Sequence, residues 1–323
     1  MYPVYSYLWL HGVKEDSRNG LVLRAPEPVT ITYTNPLDRV NLSSIRDANP
    51  AFHLLEGVWM LSGSNRLAPI ARIVPTITDY SDDGETSNAA YGHRAINHFG
   101  VDQLMEVGSL LRHEPLSRQA VVQLWDAADL VKSTKDKACN MQLVFSFNAR
   151  SNQLDMLIYN RSNDAVWGGV SGANVAHMPF FLEYVSRIAG LSPGSITVVS
   201  ANLHMYLDNP KVEKLLDHYT SNLSDEPYKQ GIVHRLDLFQ AHESWMSLER
   251  NAKNICNWFE KARTDLALPI VENNFLQFTV VPLLASWLTH KNGNTKQAIS
   301  KCSNIEASDW RKAMELWLYR RLP

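Results

Sequence analysis

The chain has 323 residues, 45 % of them hydrophobic and 20 % charged, with a formal net charge of −2. That length can bury one large core or two modest ones, and the near-neutral balance lacks the basic footprint of a protein that must hold nucleic-acid phosphates. Three widely spaced cysteines, Cys139, Cys256 and Cys302, exclude a disulfide framework and point to a reducing, cytoplasmic setting.

In chain order, the N-terminal MYPVYSYLWL has neither the basic start nor the long apolar middle of a signal peptide. Read as a strand, it places Tyr5, Tyr7 and Trp9 on one face and Val4, Leu8 and Leu10 on the other. Two or three strands are expected over 1–34, around the polar turn Glu15–Gly20, which contains Arg18. Asn49-Pro50 caps a helix whose Phe52, Leu55, Val58, Trp59 and Leu61 recur at helical spacing. Glu56 either faces solvent on this helix or interrupts its apolar face. In the second case the carboxylate must be paired, hydrogen-bonded or raised in pKa, because desolvating it is costly.

Residues 66–100 are the least regular part, with Tyr80–Thr86 reading as a charged surface loop that leads into Tyr91-Gly92. A helix over about 101–112 is stopped by Pro115, and Ser117-Arg118-Gln119 precedes a strand over 120–125. Cys139 opens a strand over 141–147, which turns at 148–153 into a second strand over 154–159. That strand ends in the polar cluster Asn160-Arg161-Ser162-Asn163-Asp164. A bend containing Gly168, Gly169 and Gly172 then delivers Asn174 and His177 to the first turn of a helix that Gly190 closes. One hairpin therefore presents a thiol, a guanidinium, a hydroxyl and two amides near one end of a sheet, where loops after strands concentrate functional groups. A strand over 195–200 leads to His204 and Tyr206, which alternation puts on one face. Helices are expected over 211–221, within 237–262, and over 274–288 and 308–322. No CxxC or HExxH pattern occurs, so no metal site is expected, and no apolar run reaches the roughly 18 residues of a membrane span.

The ordered set Glu56, Tyr91-Gly92, Ser117-Arg118, Cys139, Arg161-Ser162-Asn163-Asp164, Asn174 and His204-Met205-Tyr206 resembles the thymidylate synthase family, which includes the pyrimidine nucleotide hydroxymethylases. The resemblance runs from Arg18 to Asn209. It implies an α+β, thymidylate synthase-like fold, a mixed β-sheet covered by helices, with a catalytic domain over 1–210. Residues 211–323 are then a helical extension packed on the same domain.

The resemblance also implies roles. Cys139 is the nucleophile that adds to C6 of a pyrimidine, a step for which a thiolate is suited because it also leaves readily. Arg161, close by, is expected to favour that thiolate. Glu56 is the general acid and base acting through water, and Asn174 grips the O4/N3 edge of the base in the same pocket as the thiol, with His177 and Tyr91 beside it. Arg18, Arg161 and Ser162 belong to the phosphate, Asn163 to the nucleotide, and His204 and Tyr206 to the sugar hydroxyl. Asp164, Trp59 and Gly168 belong to the co-substrate, 5,10-methylenetetrahydrofolate. Arg118 reaches across a homodimer to the partner's phosphate, although the family's second arginine is Gln119 here.

Asn174 leans towards uracil, where enzymes of deoxycytidylate often carry Asp, and Ser162 towards deoxynucleotides. Between Asp164 and Asn174 the chain is about two residues longer than the synthase pattern. The tryptophan that shields the exocyclic methylene in synthases falls at about Ile77, and the histidine of the Cys-His pair is Asn140. Both departures point to a water-quenched, hydroxymethylating relative making precursors of modified DNA, as in phages, in the cytoplasm of the host. Methyl transfer to dUMP or dCMP, and a nucleotide- or RNA-binding homologue without turnover, are the alternatives.

Overall fold

The computed structural model describes residues 2–221, 228, 230–231, 233–262 and 267–322. The elements, in order, are α1 (Tyr2–His11), β1 (Val13–Ser17), β2 (Gly20–Arg24), β3 (Val29–Tyr33), α2 (Pro50–Leu61), the short α3 (Ala68–Ala71) and α4 (Tyr91–His93), α5 (Gln103–His113), β4 (Val121–Gln123), β5 (Asn140–Asn148), β6 (Gln153–Asn160), β7 (Asn163–Asp164), α6 (Ala173–Ala189), β8 (Ser192–Ser200), β9 (Leu203–Tyr206), α7 (Pro210–Ser221), α8 (Leu248–Lys261), α9 (Val281–Lys291), α10 (Thr295–Lys301) and α11 (Ser308–Tyr319). A five-stranded sheet runs β3-β8-β6-β5-β4 and a four-stranded one β1-β2-β9-β7. All pairings are antiparallel except β6–β8 and β7–β9.

The larger sheet alternates as a half-buried strand should. Leu154, Met156 and Ile158 of β6 and Ile196 and Val198 of β8 are buried. Helix α6 packs on this sheet, α5 and α2 pack on α6, and α8, α9 and α11 lie against α2. A helix covered on so many sides must be apolar nearly all round, and in α2 only Phe52 and Glu56 are not buried. Asn49 caps it by accepting from Ala51 N at 3.0 Å, with Pro50 in the first turn. Gly57 permits the α2–α6 approach, since a Cβ there would stand 2.4 Å from the Phe180 ring.

The smaller sheet has its own core, in which Tyr5 and Leu8 of α1 meet Leu23, Val166, Met205 and Leu215. That packing corrects the strand expected at the N-terminus. Tyr5 and Leu8 are spaced to share a helix face, Pro3 suits a first turn, and the Tyr5 hydroxyl donates to Ala165 O at 3.0 Å.

The helix expected within 237–262 begins only at Leu248. Upstream, Leu238 is buried in a bend outside any helix because side chains satisfy its backbone. Its N–H donates to Glu183 Oε1 at 2.6 Å, and its carbonyl accepts from Asn273 Nδ2 at 2.8 Å. The helix expected over 274–288 is a π-helical turn over Leu276–Val280 followed by α9, which continues to Lys291.

Glu183 also forms a buried ion pair with Arg39, the two side chains being 3 % and 2 % exposed. Glu183→Ala would leave that guanidinium buried and unpaired and orphan the Leu238 N–H. A loss of about 3–5 kcal/mol of unfolding free energy is expected, read as a lower urea midpoint at unchanged m-value.

Candidate functional site

Cys139 stands at the entrance to β5, and its orientation is set by an irregularity in the ladder. Asn140 pairs with Asn160, but Gln142 pairs with Tyr159, so Met141 is the extra residue of a bulge. Its carbonyl accepts from both Leu124 N and Trp125 N, at 2.8 and 2.9 Å. Bulges of this kind re-aim the chain next to them. Arg161 completes the fixation. Its N–H donates to Cys139 O at 2.9 Å, its Nε to Ala138 O and its Nη2 to Lys137 O, both at 2.8 Å. Nη2 also stands 3.7 Å from the Cys139 sulfur, and the guanidinium lies over the Trp125 ring.

The thiol opens onto a cleft of about 240 Å³ lined by Glu56, Trp59, Met60, Ile77, Tyr91 and Asp136, among others. Glu56 and Cys139, 83 residues apart in sequence, are thus brought to one cavity. Trp59 is fixed by donating from Nε1 to Arg66 O at 2.8 Å, and the Tyr91 hydroxyl accepts from Asn140 N at 3.4 Å. Ile77 occupies the wall here, as the register of the sequence resemblance places it. Tyr80 and Ser81, from the charged loop over Tyr80–Thr86, line the cleft as well.

Burial pushes the Cys139 thiol above its ordinary range. Arg161 pulls it down, Asp136 raises it, and Arg18, from the β1–β2 turn, pulls it down again. The expectation that Arg161 favours the thiolate holds in direction, but burial outweighs it. The other cysteines, Cys256 and Cys302, are buried, with thiols raised to about 12 and about 11 mainly by desolvation.

Asn174 does not line the thiol cleft. It lines a separate apolar hollow of about 20 Å³ with Tyr33, Asn140, Asn163, Met178 and Gly169. The two sides are joined by His177, whose Nδ1 is 2.9 Å from Glu56 Oε2 and whose Nε2 is 3.0 Å from Asn174 Oδ1. A neutral imidazole has one donor and one acceptor nitrogen, so where Nδ1 donates to Glu56 the Asn174 amide turns over to donate from Nδ2 to Nε2. The orientation of that amide is therefore coupled to the Glu56 carboxylate. Two buried amide atoms border the hollow without a partner among the described residues, Asn140 Nδ2 and Asn163 Oδ1.

The bend ahead of Asn174 is tightly wound. Asp164 Oδ1 caps a π-helical turn, Ala165–Gly169, by accepting from Val166 N and Trp167 N at 2.7 and 3.2 Å. The chain then folds back so tightly that a Cβ on Gly172 would lie 1.9 Å from the Trp167 carbonyl group. Gly168 sits against both amides, a Cβ there meeting Asn163 Oδ1 at 3.1 Å and Asn174 Nδ2 at 3.4 Å.

Asp164 pairs in register with His204. Burial raises the Asp164 carboxyl and lowers the His204 imidazole, each partly offset by the other's charge. His204 and Tyr206 share one face of β9, their rings 5.3 Å apart and edge to face. Ser162 is half-buried between Arg161 and Asn163. Arg118 is exposed and lies elsewhere: β4 runs antiparallel to β5 with Val121 opposite Val144, so Arg118 is at the far end of β5 from Cys139, on the order of 25 Å away at the rise of a strand.

Sequence reasoning missed Asp136 and Ser87 as cleft residues; nothing but the nearness of Asp136 to Cys139 signalled them. Among the described residues no group of three His, Cys, Asp or Glu side chains could hold a metal ion, and no helix is long and apolar enough to cross a membrane.

The sequence model of the family described as thymidylate synthase matches residues 4–247, extending on both sides of the stretch that the motifs cover. A deoxyuridylate hydroxymethyltransferase of Pseudomonas phage M6 is 35 % identical, covering 97 % of this chain and 89 % of that protein. A protein of the same name from Bacillus phage SP01 is 33 % identical over 59 % of this chain and 52 % of its own length. The crystal structure of thymidylate synthase from T4 phage shares the fold, with a TM-score of 0.61 over 84 % of this chain and 97 % of that one at 19 % identity. These likenesses, with the fold, define an enzyme that transfers a one-carbon unit. The chain belongs to the thymidylate synthase family.

Because Cys139 alone of the three cysteines is not buried, its alkylation by iodoacetamide reports its ionisation. Replacing Arg161 by Gln removes the largest influence holding its pKa down, so the rate–pH profile should move to higher pH. Alkylation near pH 8 should slow by about 3–10-fold.

Proposed function

We propose that the protein hydroxymethylates C5 of dUMP, with methylenetetrahydrofolate as co-substrate, through an adduct between Cys139 and C6. The observation that carries this reading is that Cys139, Glu56 and Ile77 line one cleft, while Glu56 is joined through His177 to Asn174. The names of the phage relatives favour deoxyuridylate, and so does an amide rather than a carboxylate at position 174.

In this reading Cys139 attacks C6, and negative charge develops along C5–C4–O4. A donor waiting at that edge stabilises the transition state more than the ground state. Asn174 provides it, with His177 setting which end of the amide faces the base. The unpartnered Asn140 Nδ2 and Asn163 Oδ1 favour a ligand that brings its own acceptor and donor, as the edge of a uracil does. Leaving such groups unsatisfied costs about 1–3 kcal/mol each. Entry of a base requires the hollow to open towards the thiol cleft.

Arg18, Arg161 and Ser162 are assigned to the phosphate, and Arg161 in addition holds the Cys139 segment. His204 and Tyr206 are assigned to the sugar. The placement of Arg118 far from the thiol of its own chain fits the proposal that it serves the partner in a homodimer. The folate supplies a one-carbon unit at the oxidation level of formaldehyde. Trp59, Ile77 and Tyr80 give the cleft flat apolar walls that fit a ring system, and Trp59, Asp164 and Gly168 are assigned to it. Glu56 removes the C5 proton. Ile77 offers no indole to shield the exocyclic methylene that results, and water rather than hydride then completes the reaction. Residues 1–210 would carry these groups and 211–323 would support them, the whole acting in the cytoplasm of an infected host.

Incubation with methylenetetrahydrofolate and dUMP, dCMP, UMP or CMP tests the reading directly. The expected product is dUMP heavier by one CH2O, with no dihydrofolate formed; dihydrofolate together with a CH2 gain would replace this reading by methyl transfer. Cys139→Ser should retain nucleotide binding and lose all turnover. Glu56→Gln should lower kcat by about 100-fold or more. Asn174→Asp should shift preference towards dCMP, measured as the ratio of kcat/KM for the two nucleotides.

A further inference from the structure

Asp136 lies three residues ahead of the thiol, lines the same cleft as Cys139, Glu56 and Ile77, and has no part in the chemistry so far. Its charge raises the pKa of both Cys139 and Tyr91, so it opposes the ionisation that the first step requires. Yet the fold holds it firmly. Oδ2 accepts from Ser87 Oγ at 2.7 Å and from Ala89 N at 2.9 Å. The Asp136 N–H donates to Thr134 Oγ1 at 3.1 Å, and its carbonyl accepts from Asn88 Nδ2 at 2.9 Å. The second carboxylate oxygen, Oδ1, accepts no hydrogen bond among the described residues. The cleft lining thus combines apolar groups, Trp59, Met60, Leu67 and Ile77, with the polar Ser81, Ser87 and Asp136.

We propose that Asp136 is the general base for the water that attacks the exocyclic methylene, and that it thereby directs the hydroxymethyl outcome; the inference rests on the function proposed above. A carboxylate pinned through one oxygen, with the other left to the cleft, can hold a water and accept its proton. As the C–O bond forms, one water proton passes to Asp136. The electron pair of the C5–methylene double bond moves towards O4. The resulting enolate then restores the C5–C6 double bond and expels the Cys139 thiolate. No oxidant or reductant is consumed. Glu56 is engaged with His177, in keeping with a separate task at C5.

Because every one of these steps is reversible, the inference is testable without folate. Wild-type protein incubated with 5-hydroxymethyl-dUMP in 18O-labelled water should exchange the hydroxymethyl oxygen, read by mass. Loss of tritium from C5-labelled dUMP, which needs thiol addition but no methylene, gives the reference rate. In Asp136→Asn the ratio of oxygen exchange to tritium loss should fall by about 100-fold or more. Ser87→Ala, which keeps the carboxylate but leaves Oδ2 with the Ala89 N–H alone, should lower the ratio less, and Asp136→Glu should recover part of it. An unchanged ratio in Asp136→Asn, or an equal fall in both rates, overturns the inference while leaving the proposed function standing. A wild-type protein that neither exchanges the oxygen nor forms the hydroxymethyl product overturns both.

Discussion

The site depends first on one guanidinium spent on backbone. Arg161 donates to the carbonyls of Lys137 and Ala138, and its own N–H reaches that of Cys139. These three bonds tie the end of β6 to the start of β5 where the regular ladder is interrupted. Without them the segment ahead of the bulge would have carbonyls to satisfy and no strand to satisfy them. The thiol is therefore aimed by main-chain geometry rather than by packing of its own small side chain. An arginine suits this task because its planar fork can bridge neighbouring carbonyls while its charge still reaches the sulfur.

The same arrangement leaves the thiol in a contested field. Two arginines favour its ionisation, but burial and Asp136 oppose it, and burial is the largest influence. A protonated, partly shielded thiol is a poor target for adventitious oxidants and alkylating agents. Anything that enters the cleft and alters its charge or its exclusion of water therefore alters the reactivity of Cys139.

What the sequence made legible were features whose signals are local. The Asn49-Pro50 cap, the Gly190 stop, the two long strands around Cys139 and the His204–Tyr206 alternation each depend on neighbours within a few residues, and all are present. The N-terminal segment was misread because its apolar residues fit both periods; Tyr5 and Leu8 are drawn into a helix by a core made of β2, β9 and α7, all distant in sequence. Leu238 escaped the helical reading for a similar reason, because its backbone partners are Glu183 and Asn273. The fold and the family were nevertheless legible through the resemblance of the ordered motifs. What was not legible was the division of the candidate residues between two hollows. Asn174 follows a π-helical turn and a tight return at Gly172, and it lines a different hollow from Cys139.

The helical C-terminal part acts on the site through α6. That helix bears Asn174 and His177 in its first turns and Glu183 two turns further on, so anything that fixes Glu183 also fixes the axis on which the amide and imidazole ride. Glu183 is held by Arg39 from the chain before α2 and by the N–H of Leu238 from the chain before α8. Arg39 in turn stacks over Phe180, the ring that fills the space left by Gly57. Glu56 stands one residue before Gly57 on α2. The Glu56–His177 contact thus bridges two helices whose separation is set by Phe180 and whose relative position is locked by Arg39, Glu183 and Leu238. A contact between side chains on two helices keeps its length only as far as the packing between those helices is fixed. On that ground residues distant from the cleft contribute to its geometry without entering it.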